Sequence, residues 1–224
     1  MWTEISRSTT AGGEELVLRF RGGVYEIRCN GWDLMSNRAH ASEQTMARLA
    51  LAEIAARESP RVLIGGLGMG FTLRAALDVA PAHTAIEVAE LTPAIVAWNR
   101  GPLAPLAGRP LDDSRALVRV VDVRDALAAA PGRYDAILLD TDNGPGAVMV
   151  AGNARLYLRE GLDLTRRALA PGGVLAYWSA DRSEAFEGLL DACGLDWRVV
   201  ETPAREGRDR PLHAIYLARE RATA

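Results

Sequence analysis

The chain has 224 residues, 49% of them hydrophobic and 25% charged, with a formal net charge of -3. That is enough apolar material for one large domain with its own core, and it excludes a disordered chain or one held together by disulfides. There is no long basic run or Lys/Arg stripe and no apolar run near the length of a membrane span, so nucleic-acid binding and a membrane location are not expected.

The first ten residues, "MWTEISRSTT", lack a basic segment followed by an apolar one; with no such leader, the expected location is cytoplasmic. Cys29 and Cys193 form no Cys-x-x-Cys and no Cys/His spacing, and read as reduced core residues. Residues 14–35 alternate as strands around the turns "RGG" and "NGW", which predicts a small N-terminal β region over residues 1–40. A helix is predicted from Ser42, its expected N-cap, to Arg57, with Met46, Leu49, Ala50 and Ile54 on one face. His40, just before it, is a candidate to face a substrate.

From there to residue 224 the pattern is regular and predicts a single α/β domain over 41–224. Apolar strands are expected at 61–66, 84–90, 117–122, 134–140 and 173–179. Helices are expected between them, among them "FTLRAALDVA", a segment capped by Thr92 with Pro93 at its first position, and a stretch from Arg155 to Leu169. Strands alternating with helices imply crossovers and a parallel sheet. After the helix "SEAFEGLLDACG" come "DWRVVETP" and "PLHAIYLAR" with no helix between them, so this last pair is antiparallel. The layout resembles the Rossmann-like fold of class I AdoMet-dependent transferases. That resemblance implies a seven-stranded mixed sheet in the order 3-2-1-4-5-7-6.

Five sites along this pattern carry chemistry. The first strand runs into Gly66-Leu67-Gly68-Met69-Gly70, a loop in which backbone can approach a nucleotide closely. Phe71 follows where a dinucleotide loop needs a small residue, which favours AdoMet over NAD. Glu90 ends the second strand, 20 residues on, and suits two ribose hydroxyls; Leu91 follows it as a further cofactor contact. Asp122 and Val123 end the third strand and are candidates for the adenine. Asp140 ends the fourth strand beside the glycine loop if the strand order holds. A carboxylate there can hold an ammonium and accept its proton as the amine reacts. Asp142 adds charge for a cationic substrate, and Asn143 is a further substrate candidate, although Asn143 and Gly144 read better as turn formers. Trp178, at the end of the fifth strand, is a candidate for the acceptor pocket. "WSADRSE" after that strand puts Arg182 where a divalent metal would want an amide, so no metal is expected.

Together these residues resemble the spermidine synthase family from about Gly31 onward. "VLIGGLGMGFTLRAAL" is similar to its "IGGGDGG" region, "VAELTPAIVAWNR" to its "VELDP" helix, and "VVDVRDAL" to its "GDA" segment. "YDAILLDTDNGP" is similar to its "YDVIxxDSxDP" and "RALAPGGVLA" to its "LxPGG". The resemblance implies that Asp140 assists amine deprotonation and that Glu90 and Asp122 hold the nucleoside. It also implies an S-adenosyl-L-methionine-type cofactor, full or decarboxylated, and a homodimer, for which the exposed N-terminal strands offer a pairing edge. Four positions depart from the family. Leu34 replaces a Gln, Glu43 a Tyr, Gly68 an acid and Asn143 an Asp, all residues that in the family handle the diamine and the cofactor tail. These departures make methyl transfer to a small amine the first expectation. Aminopropyl transfer from decarboxylated AdoMet is the alternative, and a non-catalytic nucleoside-binding subunit is a third.

Overall fold

The computed structural model describes residues 1–141, 144, 151–205 and 207–221. The N-terminal strands β1 (Thr3–Thr9), β2 (Glu15–Arg21), β3 (Val24–Cys29) and β4 (Trp32–Ser36) form an antiparallel sheet in chain order. The expected hairpin is therefore a four-stranded meander. β1 escaped the alternation pattern because it has little to bury: Ile5 is its one large apolar residue and is 43% exposed. Both tight turns have the chemistry their geometry requires. Gly22 and Gly23, and Asn30 and Gly31, all take positive φ, as two-residue hairpin turns demand.

The second sheet holds β5 (Arg61–Gly65), β6 (Ala85–Glu90), β7 (Ala116–Val120), β8 (Tyr134–Leu139), β9 (Leu169–Ser179), β10 (Leu195–Pro203) and β11 (Leu212–Glu220). Its order is β10-β11-β9-β8-β5-β6-β7, which is the expected arrangement read from the opposite edge. β5 to β9 pair in parallel, and β11 runs antiparallel to both β9 and β10.

The central strands are buried on both faces, which explains their continuous apolar runs. Their period of two sorts the residues into two cores. Val62, Ile64, Ala136, Leu138, Ala176 and Trp178 face one core. Leu63, Ile137, Leu139, Leu175 and Tyr177 face the other. The first core is closed by α1 (Ala41–Glu53), α2 (Phe71–Val79), α3 (Pro93–Arg100) and part of the N-terminal sheet. The second is closed by α4 (Val123–Ala128), α5 (Arg159–Ala168) and α6 (Glu184–Ala192).

Two local expectations are corrected. Ser42 does not cap α1; His40 occupies that position without a side-chain bond, and the helix ends at Glu53. Ser42 is buried inside the first turn. Its hydroxyl accepts from Trp178 Nε1 at 3.0 Å and lies 2.8 Å from His213 Nδ1, so tertiary partners claim the oxygen that a cap would use. The helix expected over 155–169 is split. A 3-10 segment, Ala151–Tyr157, precedes α5, and Leu158 between them is extended. At Gly161 a Cβ would lie 2.2 Å from the Arg155 carbonyl oxygen, so the break is packed tightly against the next turn.

Candidate active site

The carboxyl ends of all five parallel strands meet at one cavity. It is lined by Gly66 and Gly68 after β5, Glu90 to Thr92 at β6, Asp122 and Val123 after β7, Asp140 after β8 and Trp178 on β9. β5 and β8 are neighbours whose connections leave in opposite directions, and ligand crevices form at such points. The N-terminal sheet roofs the cavity with Leu16, Cys29, Leu34 and Met35, and α1 adds Glu43.

The glycine loop alternates in function. Leu67 and Met69 are buried in the core, while Gly66 and Gly68 take positive φ and face the cavity. Gly66 is the most constrained: a Cβ there would lie 2.2 Å from the Asp140 carbonyl oxygen. Asp140 N donates to Gly65 O at 2.9 Å, and Gly66 N donates to Ala89 O at 2.9 Å, so the loop is fastened to both neighbouring strands. Asn99 Nδ2 on α3 also donates to Gly68 O at 2.8 Å. Gly70 is not among the cavity-lining residues. It starts α2 in a left-handed conformation, and a Cβ there would meet Asn99 Oδ1 at 3.0 Å. It therefore shapes the turn into α2.

Glu90 is buried, and its carboxylate bridges two loops. Oε2 accepts from Leu67 N at 2.9 Å and Oε1 from Thr92 N at 2.8 Å. Burial pushes its carboxyl above the usual range, partly offset by these backbone donors. The Gly68 and Leu91 backbone also favours the charged form, and the residue lines the cavity, where a ribose would meet it. Asp122 caps α4 by accepting from Arg124 N at 2.8 Å, and the Arg124 side chain pairs with it at 2.6 Å. Those bonds hold its carboxyl below the usual range. Val123 is buried and Leu91 is 45% exposed, and both touch the cavity.

Asp140 accepts a 2.6 Å bond from Thr72 Oγ1, the second residue of α2. Burial away from bulk water pushes its carboxyl up to about 6 despite that bond. Facing it is Glu43, held well above its usual value by burial and by the Asp140 charge. Glu43 Oε2 is buried without a hydrogen-bond partner among the described residues.

Of the acceptor-site expectations, Trp178 lines the cavity and its Nε1 is tied to Ser42. Tyr177 points to the opposite core, as strand alternation requires. His40 is not among the lining residues. Its ring stacks on Phe71 at 4.1 Å, which gives it a packing role. Asp142 and Asn143 lie outside the described residues. Arg182 is bonded to Glu187 at 2.8 Å, and no group of three or more potential metal ligands occurs among the described residues. Glu43 and Thr72 were missed as site residues. The available signal for Glu43 was its position four and seven residues before the fully buried Ala47 and Ala50, which places a carboxylate on the inward stripe of α1.

Fold and cavity together define a Rossmann-like α/β protein with a seven-stranded mixed sheet and a β-sheet roof. In structure it is similar to a spermidine synthase bound to the transition-state analogue AdoDATO, with a TM-score of 0.75 and 15% identity over 96% of this chain and 71% of the other. It is similar likewise to the Thermotoga maritima spermidine synthase, with a TM-score of 0.74 and 16% identity over 96% and 72%. In sequence it is 38% identical over 117 residues to polyamine aminopropyltransferase 1 of Streptomyces coelicolor, covering 50% of this chain and 20% of that one. It is 32% identical over 144 residues to the polyamine aminopropyltransferase of Mycobacterium tuberculosis, covering 63% and 25%. The chain thus spans about a fifth to a quarter of the length of these curated relatives. No family model matches it. The resemblance to spermidine synthase-like AdoMet-fold proteins is borne out on both counts.

Proposed function

We propose that this chain is an amine-directed group transferase that moves an aminopropyl group from decarboxylated AdoMet to a small acceptor. The observation that carries the reading is the placement of Asp140. A buried carboxylate with a raised pKa shares one cavity with the glycine loop, Glu90 and Asp122. The named activity of the sequence relatives supports aminopropyl over methyl transfer.

The lining residues fit a nucleoside donor. Gly66 and Gly68 leave the cradle free of Cβ atoms, Glu90 presents its carboxylate to ribose hydroxyls, and Asp122 and Val123 offer an acceptor and an apolar face to the base. Such a donor, when bound, supplies a carbon made electrophilic by an adjacent sulfonium. Asp140 holds the acceptor ammonium and takes its proton as the free amine forms. The amine nitrogen bonds to that carbon as the carbon–sulfur bond breaks. The electron pair returns to sulfur, leaving a neutral thioether nucleoside, and the proton stays on the Asp140 carboxyl. Thr72 keeps Asp140 ionised enough to serve, because its hydroxyl bonds the charged form.

Methyl transfer from AdoMet is the second reading. It is favoured by Gly68, which puts no side chain near Met35 Sδ, whereas the resembled family carries an acid for the donor tail. The test is incubation with decarboxylated AdoMet or AdoMet and a panel of amines, with products resolved by mass. A gain of one aminopropyl unit by the amine is expected. A methyl gain selects the second reading. Tight nucleoside binding without any turnover selects the non-catalytic subunit.

A further inference from the structure

We infer that Glu43 is the second half of the acceptor site: with Asp140 it clamps a single ammonium, and the acceptor is a primary monoamine with an aliphatic body. This deepens the proposed function and rests on its reading that the acceptor is an amine.

The placement is unusual for a structural carboxylate. Glu43 sits in the first turn of α1 and lines the cavity, and Ser42 beside it anchors that turn to Trp178 and His213. Its Oε2 is buried and lacks a hydrogen-bond partner among the described residues. A buried acceptor without a donor is costly, and a bound cation would recover that cost. Asp140 is the charge that acts on Glu43, so the two carboxylates act on one volume. Two carboxylates confined together cannot both ionise at low cost, and a proton or an ammonium between them relieves the repulsion.

The remaining groups around Glu43 do not neutralise it. On α2, Thr72 is committed to Asp140 and Arg74 to Asp78. On β10, Arg198 pairs with Glu53 at the far end of α1. On β11, His213 is turned to Ser42, and its own value is lowered by burial. Glu90 and Asp122, across the cavity, are held by backbone and by Arg124. Among the described residues, the wall nearest the roof is Leu16, Cys29, Leu34, Met35 and Trp178, which suits a carbon chain rather than a second ammonium.

An ammonium between the two carboxylates lets both ionise, and Asp140 then takes the proton as the free amine forms. The test uses the full chain as wild type, Glu43→Gln and Glu43→Ala. Binding of methylthioadenosine is followed by calorimetry, and steady-state rates are measured with n-butylamine and 1,4-diaminobutane. Glu43→Gln should raise the acceptor KM roughly 10- to 100-fold with nucleoside Kd unchanged, and should move the acid limb of kcat/KM to lower pH. Butylamine should exceed the diamine in kcat/KM. An acceptor KM within twofold of wild type and an unmoved limb would overturn the clamp; preference for the diamine would overturn the monoamine assignment. If wild type transfers nothing yet binds butylamine beside methylthioadenosine in a Glu43-dependent way, the clamp stands and group transfer falls. If it binds neither amine, the inference falls. Thermal unfolding checks that Glu43→Gln, which keeps the side-chain shape, is folded.

Discussion

At the scale of single residues, the proposed chemistry turns on how Asp140 is tuned. Burial raises its pKa to about 6, and the Thr72 hydroxyl works against that rise. Thr72→Val removes a bond to the ionised form and so raises the Asp140 value. The acid limb of kcat/KM should then move to higher pH, opposite to the shift expected for Glu43→Gln. Rate measurements between pH 5 and 9 check this, and a limb that stays in place would mean that another group sets it. Asp140→Asn keeps the shape and loses the proton acceptor. Turnover should fall roughly 100- to 10,000-fold with nucleoside Kd unchanged by calorimetry. The sequence pointed to Asp140 through its position at the end of a buried strand. It pointed to Glu43 only as a departure from a resembled motif, because the meaning of a lone carboxylate on a helix depends on what packs opposite.

At the scale of elements, the site depends on a few contacts between neighbours. The Gly66 loop passes so close to the end of β8 that a methyl group would overlap the Asp140 carbonyl oxygen. Its φ is +91° as well. Gly66→Ala should therefore cost at least about 1–2 kcal/mol in stability and abolish nucleoside binding, read by thermal unfolding and calorimetry together. Ser42 joins α1 to β9 and β11 through Trp178 and His213. Ser42→Ala removes the partner of the buried Trp178 Nε1 and of the half-buried His213 Nδ1 and should cost about 1–3 kcal/mol, read as a lower Tm. The strand-and-helix alternation was legible because buried parallel strands must be apolar throughout. The first N-terminal strand was not, because an exposed edge strand carries little hydrophobic signal. The two-part segment before α5 was not either, since its break at Leu158 is imposed by packing around Gly161.

At the scale of the whole molecule, three carboxylates at the cavity, Glu43, Glu90 and Asp140, are all raised by burial. A raised folded pKa means that the stabilising contribution is fully present below the unfolded value and is lost as pH rises through the folded one. For Asp140 that window runs from the ordinary 3.8 to about 6. Relative to wild type, Asp140→Asn should gain on the order of 1–3 kcal/mol at pH 8, a rise of a few degrees in Tm, and should show no gain at pH 3.5. Equal Tm differences at both pH values would contradict the burial argument. Association is a separate question. β1 is an edge strand, but it carries a bulge between Glu4 and Ser6 and the ion-paired Glu4 and Arg7, features that oppose strand pairing. If a homodimer forms through that edge, Ile5→Lys should abolish it in sedimentation; unchanged association would put the contact elsewhere. No helix among the described residues is long and apolar enough to cross a membrane.

The sequence by itself determined the sheet-and-helix rhythm, the antiparallel closing pair, the glycine loop and the acids that follow the strands. Each of these is written in local spacing: periods of two and 3.6, turn residues, and the distance from a loop to the next strand end. Only the tertiary structure decided that Gly70 serves the turn, that His40 stacks on Phe71, that Ser42 bonds inward, and that Glu43 confronts Asp140. Those outcomes depend on which distant segment arrives opposite a side chain. That is set by sheet order and by the β-sheet roof, not by anything within a few residues along the chain.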